Sequence, residues 1–509
     1  MPTVPPPDAA TPLVLALDLG TSSLRAIAFD AQGRPVPGTE EQIPYQNTTT
    51  ADGGAESDAD ALVAMLRRCL DGAVRRLGDR ADRVAAVGTS CFWHSLLGLD
   101  AAGKPATPVL MWSDTRAAAD AARLRQELDA AAVHDRTGCP LHSSFWPAKL
   151  AWLRRAQPAV FDRVARWCSF GEYALENLTG EAIASYAMAS GTGIFDVRRL
   201  VWDDALLTLL DVRRDQLNPL VDRDRPLGRL RPENAARWPA LARLPWFPAL
   251  GDGACANVGS GCVGPARVAL TIGTSGAMRV VIPDAPPQIP PALWAYRLDG
   301  AHYVVGGALS NGGNLLAWLG RLLAVEFGGA TLAQAGALPP DAHGLTILPF
   351  VAGERAPRWM DDVRGVVAGL TASTTPEELL RAAMEAIAYR FALVYQALLP
   401  LLVQPHTIVA NGGAVLRSPA WLQIIADTLD HALLAMPPGA EASARGAAMT
   451  TLQTLDVIPE LAPPALDPAA GAPAYEPDAA RHARYAAALA RHLRLETLLF
   501  PTAGAWDAS

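Results

Sequence analysis

The sequence predicts an α/β protein of two large domains. Its 509 residues exceed what one hydrophobic core organises. Its first hundred residues alternate strand-like apolar runs with a helical period. A strand–corner–strand unit also occurs twice, as "LALDLGTSSLRAIAFD" from Leu15 to Asp30 and as "ALTIGTSGAMRVVI" from Ala269 to Ile282.

The elements follow in order. Leu13 to Leu17 and Leu24 to Phe29 read as strands around a Gly-containing corner, and Asp58 to Leu77 has the spacing of an amphipathic helix. "RVAAVGTS" and "HSLLGLD" read as two further strands. Residues 200–250, rich in Pro, Arg and Trp, show little periodicity and are expected to be irregular, with a boundary near Pro248 dividing the chain into domains 1–248 and 249–509. The second half opens on "GDGACANVGSG", a helix of small residues, followed by the echo of the first strand pair. Thr375 is an N-cap, Pro376 takes the first helical position and Glu378 closes a capping box for a long helix. The amphipathic "PDAARHARYAAALARHLRLETLL" is expected to pack back on the second domain.

Composition narrows the function. Half of the residues are apolar and 18% are charged, the balance of a soluble globular protein. A net charge of -8 without a Lys/Arg cluster argues against nucleic acid as a partner. The N-terminal stretch lacks the basic and apolar regions of a secretory signal, and no apolar run reaches the roughly 18 residues of a membrane span, so a cytoplasmic protein with no membrane partner is expected. Six cysteines stand singly and are expected to be buried and reduced.

Two nucleotide motifs fail on context. Gly98 to Lys104 fits G-x-x-x-x-G-K, but Pro105 stands where Ser or Thr would hold magnesium, in a turn with no helix after it. Gly259 to Gly264 fits G-x-G-x-x-G but leaves a helix and enters a strand, the reverse of dinucleotide-binding order. The two G-T-S corners remain. Glycine permits a sharp turn and close ligand approach, and exposed amides with the hydroxyls of Thr21, Ser22 and Ser23 can donate to phosphate oxygens without a lysine. Asp18, just before the first corner, is placed to meet phosphate-bound magnesium, or it caps its own turn. The repetition reads equally as an internal duplication or as two ordinary hairpin corners.

These residues carry a resemblance. The order of "DLGTSSLRA", "WSDTR", "GDGACANVGSG", "TIGTSGA", "GERAPRW" and "ANGGAVLRSPAWLQIIAD" resembles the FGGY family of carbohydrate kinases. Gly365, Val367, Gly369, Leu370, Glu378, Leu379, Ala382, Ala383, Met384 and Glu385 fit that family's C-terminal signature. "SFWPAKLAWL" departs from the earlier one because Trp146 stands where a small residue is usual. The resemblance implies two actin- and hexokinase-like domains, each on a ribonuclease-H-like sheet, flanking a deep cleft. It implies ATP and Mg2+, with the sugar mainly on the first domain and the nucleotide mainly on the second.

It also implies roles. Asp252 matches the catalytic base and a substrate and metal contact, although it equally begins a helix as an N-terminal residue. Asp18 matches the metal-side carboxylate. Gly20, Thr21 and Ser22, with Arg25 just beyond, match the first phosphate loop, and Gly273, Thr274 and Ser275 the second. Gly412 and Gly413 match the adenosine-binding turn, Gly313 another nucleotide-lining glycine, and Arg417 a nucleotide contact or a surface arginine. Trp93 and His94 correspond to the sugar-gripping segment, and Asp114 either accepts from substrate hydroxyls or orients Arg116. "FWHSLLGLD", "WSDTR", "TGCPLH" and "GERAPRW" most resemble the gluconate kinases of the family. That implies conversion of D-gluconate to 6-phosphogluconate, with Arg116, His142 and Arg355 as candidates for its carboxylate. A xylulokinase or other ketose or polyol kinase is the alternative. A sugar-binding regulator on the same fold is disfavoured, because Asp18 and Asp252 are both present and the dozen residues before the first strand are too few for a helix-turn-helix. Family members are often dimers or tetramers, which allows a homodimer.

Overall fold

The computed structural model describes residues 9–326, 328–437 and 439–501. It contains two large sheets with the same internal plan. In the first, Leu13–Leu19 pairs antiparallel with Ser23–Phe29, which pairs antiparallel with Glu41–Pro44. On its other side Leu13–Leu19 runs parallel to Val84–Cys91, and that strand runs parallel to Trp246–Gly251. The second sheet repeats this around Arg267–Ile272. Gly276–Ile282 and then Tyr303–Leu309 lie antiparallel on one side, Thr407–Asn411 and then Leu433–Ala435 parallel on the other. Trp294–Arg297 and Ala474–Tyr475 extend its two edges. The shared strand order supports the duplication reading of the two corners.

The remaining elements follow their local chemistry. Ala59–Leu77 forms a helix with Asp58 accepting from the Ala61 amide, and buries Leu62, Val63, Leu66 and Leu70 on one face. Pro376–Leu398 begins with the capping box of Thr375 and Glu378. Ala479–Leu499 packs on the second domain, where Arg390 donates to Glu496 across 2.6 Å of buried space. All six cysteines are buried and unpaired. Among the described residues no helix is long and apolar enough to cross a membrane.

Residues 200–250 hold more order than their composition suggests. Asp204–Leu210 and Pro232–Arg237 are short helices, and Trp246–Gly251 is a fully buried strand. Pro248 therefore lies inside a strand of the first sheet, which continues to Gly251. The strand is at the sheet edge, where the amide that proline lacks has one ladder fewer to serve.

The two halves meet through a pair of small-residue helices. Asp252–Gly259 follows the first sheet directly, and Ala442–Thr454 follows the second. Their backbones touch. A Cβ on Gly446 would lie 1.8 Å from the Cys255 carbonyl oxygen, and one on Gly259 would lie 1.8 Å from that of Ala442. Arg445, buried to 1% exposure, fastens the contact through backbone carbonyls alone: Nε donates to Gly33 O at 2.9 Å, Nη1 to Gly259 O at 2.7 Å and Nη2 to Leu466 O at 2.7 Å. Burial lowers its pKa to about 10, so it stays charged at neutral pH. Gly446→Ala is expected to cost at least about 3 kcal/mol, because no flexible side-chain end is there to yield, and to lower the thermal midpoint by several degrees; scanning calorimetry checks it.

Candidate active site

The two corners expose their amides by the same device. The first lies between the paired residues Leu19 and Leu24, the second between Ile272 and Gly276, so the second is one residue shorter. In the first, the Tyr45 hydroxyl donates to Gly20 O at 2.7 Å, Asn47 Nδ2 to Thr21 O at 3.0 Å and the Tyr45 amide to Ser22 O at 2.9 Å. In the second, the amides of Gly313 and Asn314 donate to Gly273 O and Thr274 O, both at 2.9 Å. The carbonyls are thus occupied, while the amides of Thr21, Ser22, Thr274 and Ser275 donate to no acceptor among the described residues. Such unpaired amides form an anion-binding concavity. Gly313 serves here as a close-packed helix start, since a Cβ there would lie 2.6 Å from Gly273 O.

Asp18 and Thr271, each two residues ahead of its corner glycine, line one cleft of roughly 350 Å³. Gly412, Gly413 and Arg417 line it too, together with Asn411, Met436 and Ala440. Arg417 is exposed and forms no hydrogen bond or ion pair among the described residues. Asn411, which sequence reasoning did not single out, turns a buried Nδ2 without a partner toward this space. Arg25 does not face the cleft as a free cation. It pairs with Glu40 at 3.0 Å and with Glu441, on the loop entering the Ala442–Thr454 helix.

Asp252 stands at the first turn of its helix, Oδ1 accepting from the Gly253 amide at 2.8 Å. Burial raises its carboxyl to about 6, with Arg279 and Arg355 opposing and Asp18 adding to the rise. Asp18 is also raised, chiefly by burial, with Ser90 and Arg25 opposing. Both carboxylates are thus desolvated, and the charge of Asp18 further disfavours that of Asp252. This donor set of hard oxygens suits a magnesium ion that keeps its waters and phosphate ligands and takes one or two protein carboxylates.

Trp93 explains the glycines on either side of Asp252. A Cβ on Gly251 would lie 1.8 Å from the indole, one on Gly253 2.7 Å from it. Indole Nε1 is spent on Ala187 O at 2.8 Å, so the ring acts as a wall and offers no polar contact. His94 has a positive φ of 68°, a conformation that bulkier residues avoid and that clusters at functional positions. Its Nδ1 lies 2.6 Å from Gly191 O, and because a carbonyl only accepts, Nδ1 carries the proton. Burial pushes the His94 pKa down to about 3, so at neutral pH Nε2 is a lone-pair acceptor suited to a hydroxyl. Lys149, absent from the sequence-based candidates, holds this segment by donating to His94 O at 2.8 Å.

The remaining candidates divide. Asp114 and Arg116 are committed to each other. Arg116 Nε donates to both Asp114 oxygens at 3.1 Å, Nη2 to Glu56 at 2.7 Å, and the guanidinium lies 4.6 Å from the Trp152 ring. Of the two options for Asp114, orienting Arg116 is what the bonding displays. His142 is likewise spent: Nδ1 accepts from the Ser144 amide at 3.1 Å, and Nε2 donates to Glu354 O at 3.1 Å beside Asp361. It bridges the two halves of the chain. Arg355 is 7% exposed and stacks 4.1 Å from the Trp112 ring.

Residues 13–259 match the N-terminal domain model of the FGGY family of carbohydrate kinases, and residues 268–454 match its C-terminal domain model. A gluconokinase of Bacillus subtilis (strain 168) is 29% identical over 457 residues, 87% of each chain. The crystal structure of gluconate kinase from Lactobacillus acidophilus superposes with a TM-score of 0.85 at 25% identity, covering 97% of this chain and 99% of that one. The ligand-bound xylulose kinase of the same organism gives a TM-score of 0.85 at 26% identity with the same coverage. Paired sheets of one plan, two amide-exposing corners and a cleft that holds Asp18 meet in a chain that both domain models match, so this protein belongs to the FGGY family of carbohydrate kinases and is an ATP-dependent sugar kinase.

Proposed function

We propose that this kinase acts on D-gluconate, transferring the γ-phosphoryl group of ATP to its terminal hydroxyl to give 6-phosphogluconate. Similarity to gluconokinases over 87% of the chain supports the substrate. The observation that carries the chemistry is the buried Asp252 under the influence of Asp18, which stands just before one of two corners with unpaired amides. The part of the chain up to Gly251, where the first sheet ends, supplies the sugar side and the part from Asp252 onward the nucleotide side, with Asp252 at the junction.

Asp252 accepts the proton of the attacking hydroxyl as the new P–O bond forms and the bond to ADP breaks. Most of the rate enhancement comes from alignment and from charge neutralisation around the moving phosphoryl group. The amides of Thr21, Ser22, Thr274 and Ser275 supply donors for phosphate oxygens, and Gly412, Gly413 and Arg417 border the nucleotide. Magnesium, held on the Asp18 and Asp252 side, would neutralise phosphate charge when bound. His94 accepts from a substrate hydroxyl through Nε2, and the Trp93 ring excludes water from one side of Asp252.

A ketose reading has its own support in the equal TM-score to a xylulose kinase. A coupled ADP-release assay on gluconate, xylulose, ribulose, erythritol and glycerol separates the two. Gluconate is expected to give the highest kcat/KM by at least about tenfold, and xylulose in that place would replace the substrate while leaving the chemistry intact.

The base must be ionised to act. With the Asp252 pKa raised to about 6, kcat/KM for sugar is expected to climb with pH through an inflection near 6 and then level. An inflection near 4 would remove Asp252 from the role. Asp252→Asn is expected to lower kcat by roughly 10²- to 10⁴-fold. The raised folded-state pKa means that ionised Asp252 costs stability, a cost absent below the unfolded value and incurred as pH rises toward 6. The same variant is therefore expected to melt above the parent at pH 7.5, so lost turnover with a raised midpoint distinguishes a missing base from a damaged fold.

A further inference from the structure

One turn of helix in the first half of the chain grips the main chain around His94. The helix is Trp146–Ala156, entered from Phe145. The Phe145 ring meets the His94 ring edge-on at 4.9 Å, Trp146 Nε1 donates to Ser95 O at 2.9 Å, and Lys149 Nζ donates to His94 O at 2.8 Å. Residues three and four apart share a helix face, so the three side chains act from one side. The Trp146 amide donates in turn to Thr192 O at 2.9 Å, one residue past the Gly191 carbonyl that fixes the His94 ring. Trp146 stands where a small residue is usual in the family's earlier signature, and the bond to Ser95 O gives that departure a use.

Lys149 is the costly member of this grip. It is 1% exposed, and among the described residues the bond to His94 O is the one hydrogen bond its amine makes. It forms no ion pair there, the Asp114 carboxylate being taken by Arg116. A lysine is rarely buried without a carboxylate, and an apolar side chain of the same length would fill the space as well. Burial lowers its pKa to about 7, and a neutral amine still carries N–H groups, so the bond to His94 O persists on either side of that value. The carbonyl it holds belongs to a residue at a φ of 68°, which a histidine adopts at a cost and keeps only where its surroundings enforce it. Released, the backbone would relax toward negative φ and carry the ring away from its present aim.

We propose that Lys149 is a positioning residue for sugar binding: by holding His94 O, while Trp146 holds Ser95 O, it keeps His94 in its left-handed conformation with Nε2 presented to the substrate. The proposal rests on the reading above in which His94 accepts from a substrate hydroxyl. Lys149 acts on the sugar through the His94 main chain and makes no bond of its own to the ligand.

The test measures KM for D-gluconate, or for D-xylulose if that is the better substrate, and KM for ATP in the parent, Lys149→Met, His94→Gly and the double variant. Methionine matches the lysine stem and lacks Nζ, and glycine takes positive φ without strain. His94→Gly is expected to raise the sugar KM at least about tenfold and Lys149→Met roughly fivefold, each changing the ATP KM less than about twofold. In the His94→Gly background Lys149→Met is expected to add less than about twofold, because the ring it positions is gone. Trp146→Phe withdraws the donor to Ser95 O; it is expected to raise the sugar KM about threefold, again only while His94 is present, and carries the test if Lys149→Met does not fold. An unchanged sugar KM in Lys149→Met, sugar and ATP KM rising together, or a loss of full size in the His94→Gly background overturns the proposal and leaves His94 as the sugar contact. An unchanged sugar KM in His94→Gly overturns both.

Discussion

Everything in this molecule turns on two helices that touch through their backbones. Gly259 and Gly446 let Asp252–Gly259 and Ala442–Thr454 approach until each main chain contacts the other. The first of these helices starts at the base and the second follows the cleft-lining loop of Glu441. Arg445 then ties this contact to the turn at Gly33 in the first domain and to Leu466 in the second. Because three carbonyl dipoles satisfy the cation, no acid has to be buried with it, and the junction survives without a charge pair that pH could break. Any opening of the cleft has to take place around this fixed contact.

The electrostatics of the cleft follow from what the fold excludes. Burial makes both Asp18 and Asp252 poorer acids than exposed aspartates, and for Asp252 the charge of Asp18 adds to the effect. The corners hold phosphate without a lysine because their carbonyls are held elsewhere, by Tyr45 and Asn47 in one and by a helix start in the other. A buried His94 kept neutral and a Trp93 whose N–H is spent leave a wall that accepts and excludes but brings no charge.

What the sequence disclosed, and what it did not, divides by distance along the chain. The capping box at Thr375, the two G-T-S corners and the small-residue helix after Gly251 are local patterns, and each was legible from neighbouring residue types. The Trp246–Gly251 strand was hidden, because Pro248 inside it signals a break and only its edge position makes that proline tolerable. Arg116 read as a free cation because its second partner, Glu56, lies 60 residues away. Arg25 read as a phosphate contact for a similar reason, its acid Glu441 coming from the far end of the chain. Tyr45 and Asn47 carry no motif at all, and Asn411 sits in one whose glycines drew the attention. Their importance lies in which atoms they leave paired or unpaired, and that exists only after folding.

The Trp93 ring has a consequence for redesign. It rests against both glycines that flank Asp252, so the wall of the pocket and the group that takes the proton form one rigid part. Enlarging the pocket by trimming that ring would loosen the backbone that aims the carboxylate, and a new specificity would arrive together with a slower enzyme. Trp294 and Tyr296 press on the same ring at 5.8 and 4.9 Å, so the edge strand that carries them belongs to that rigid part. Selectivity and chemistry are therefore inseparable along this wall of the cleft.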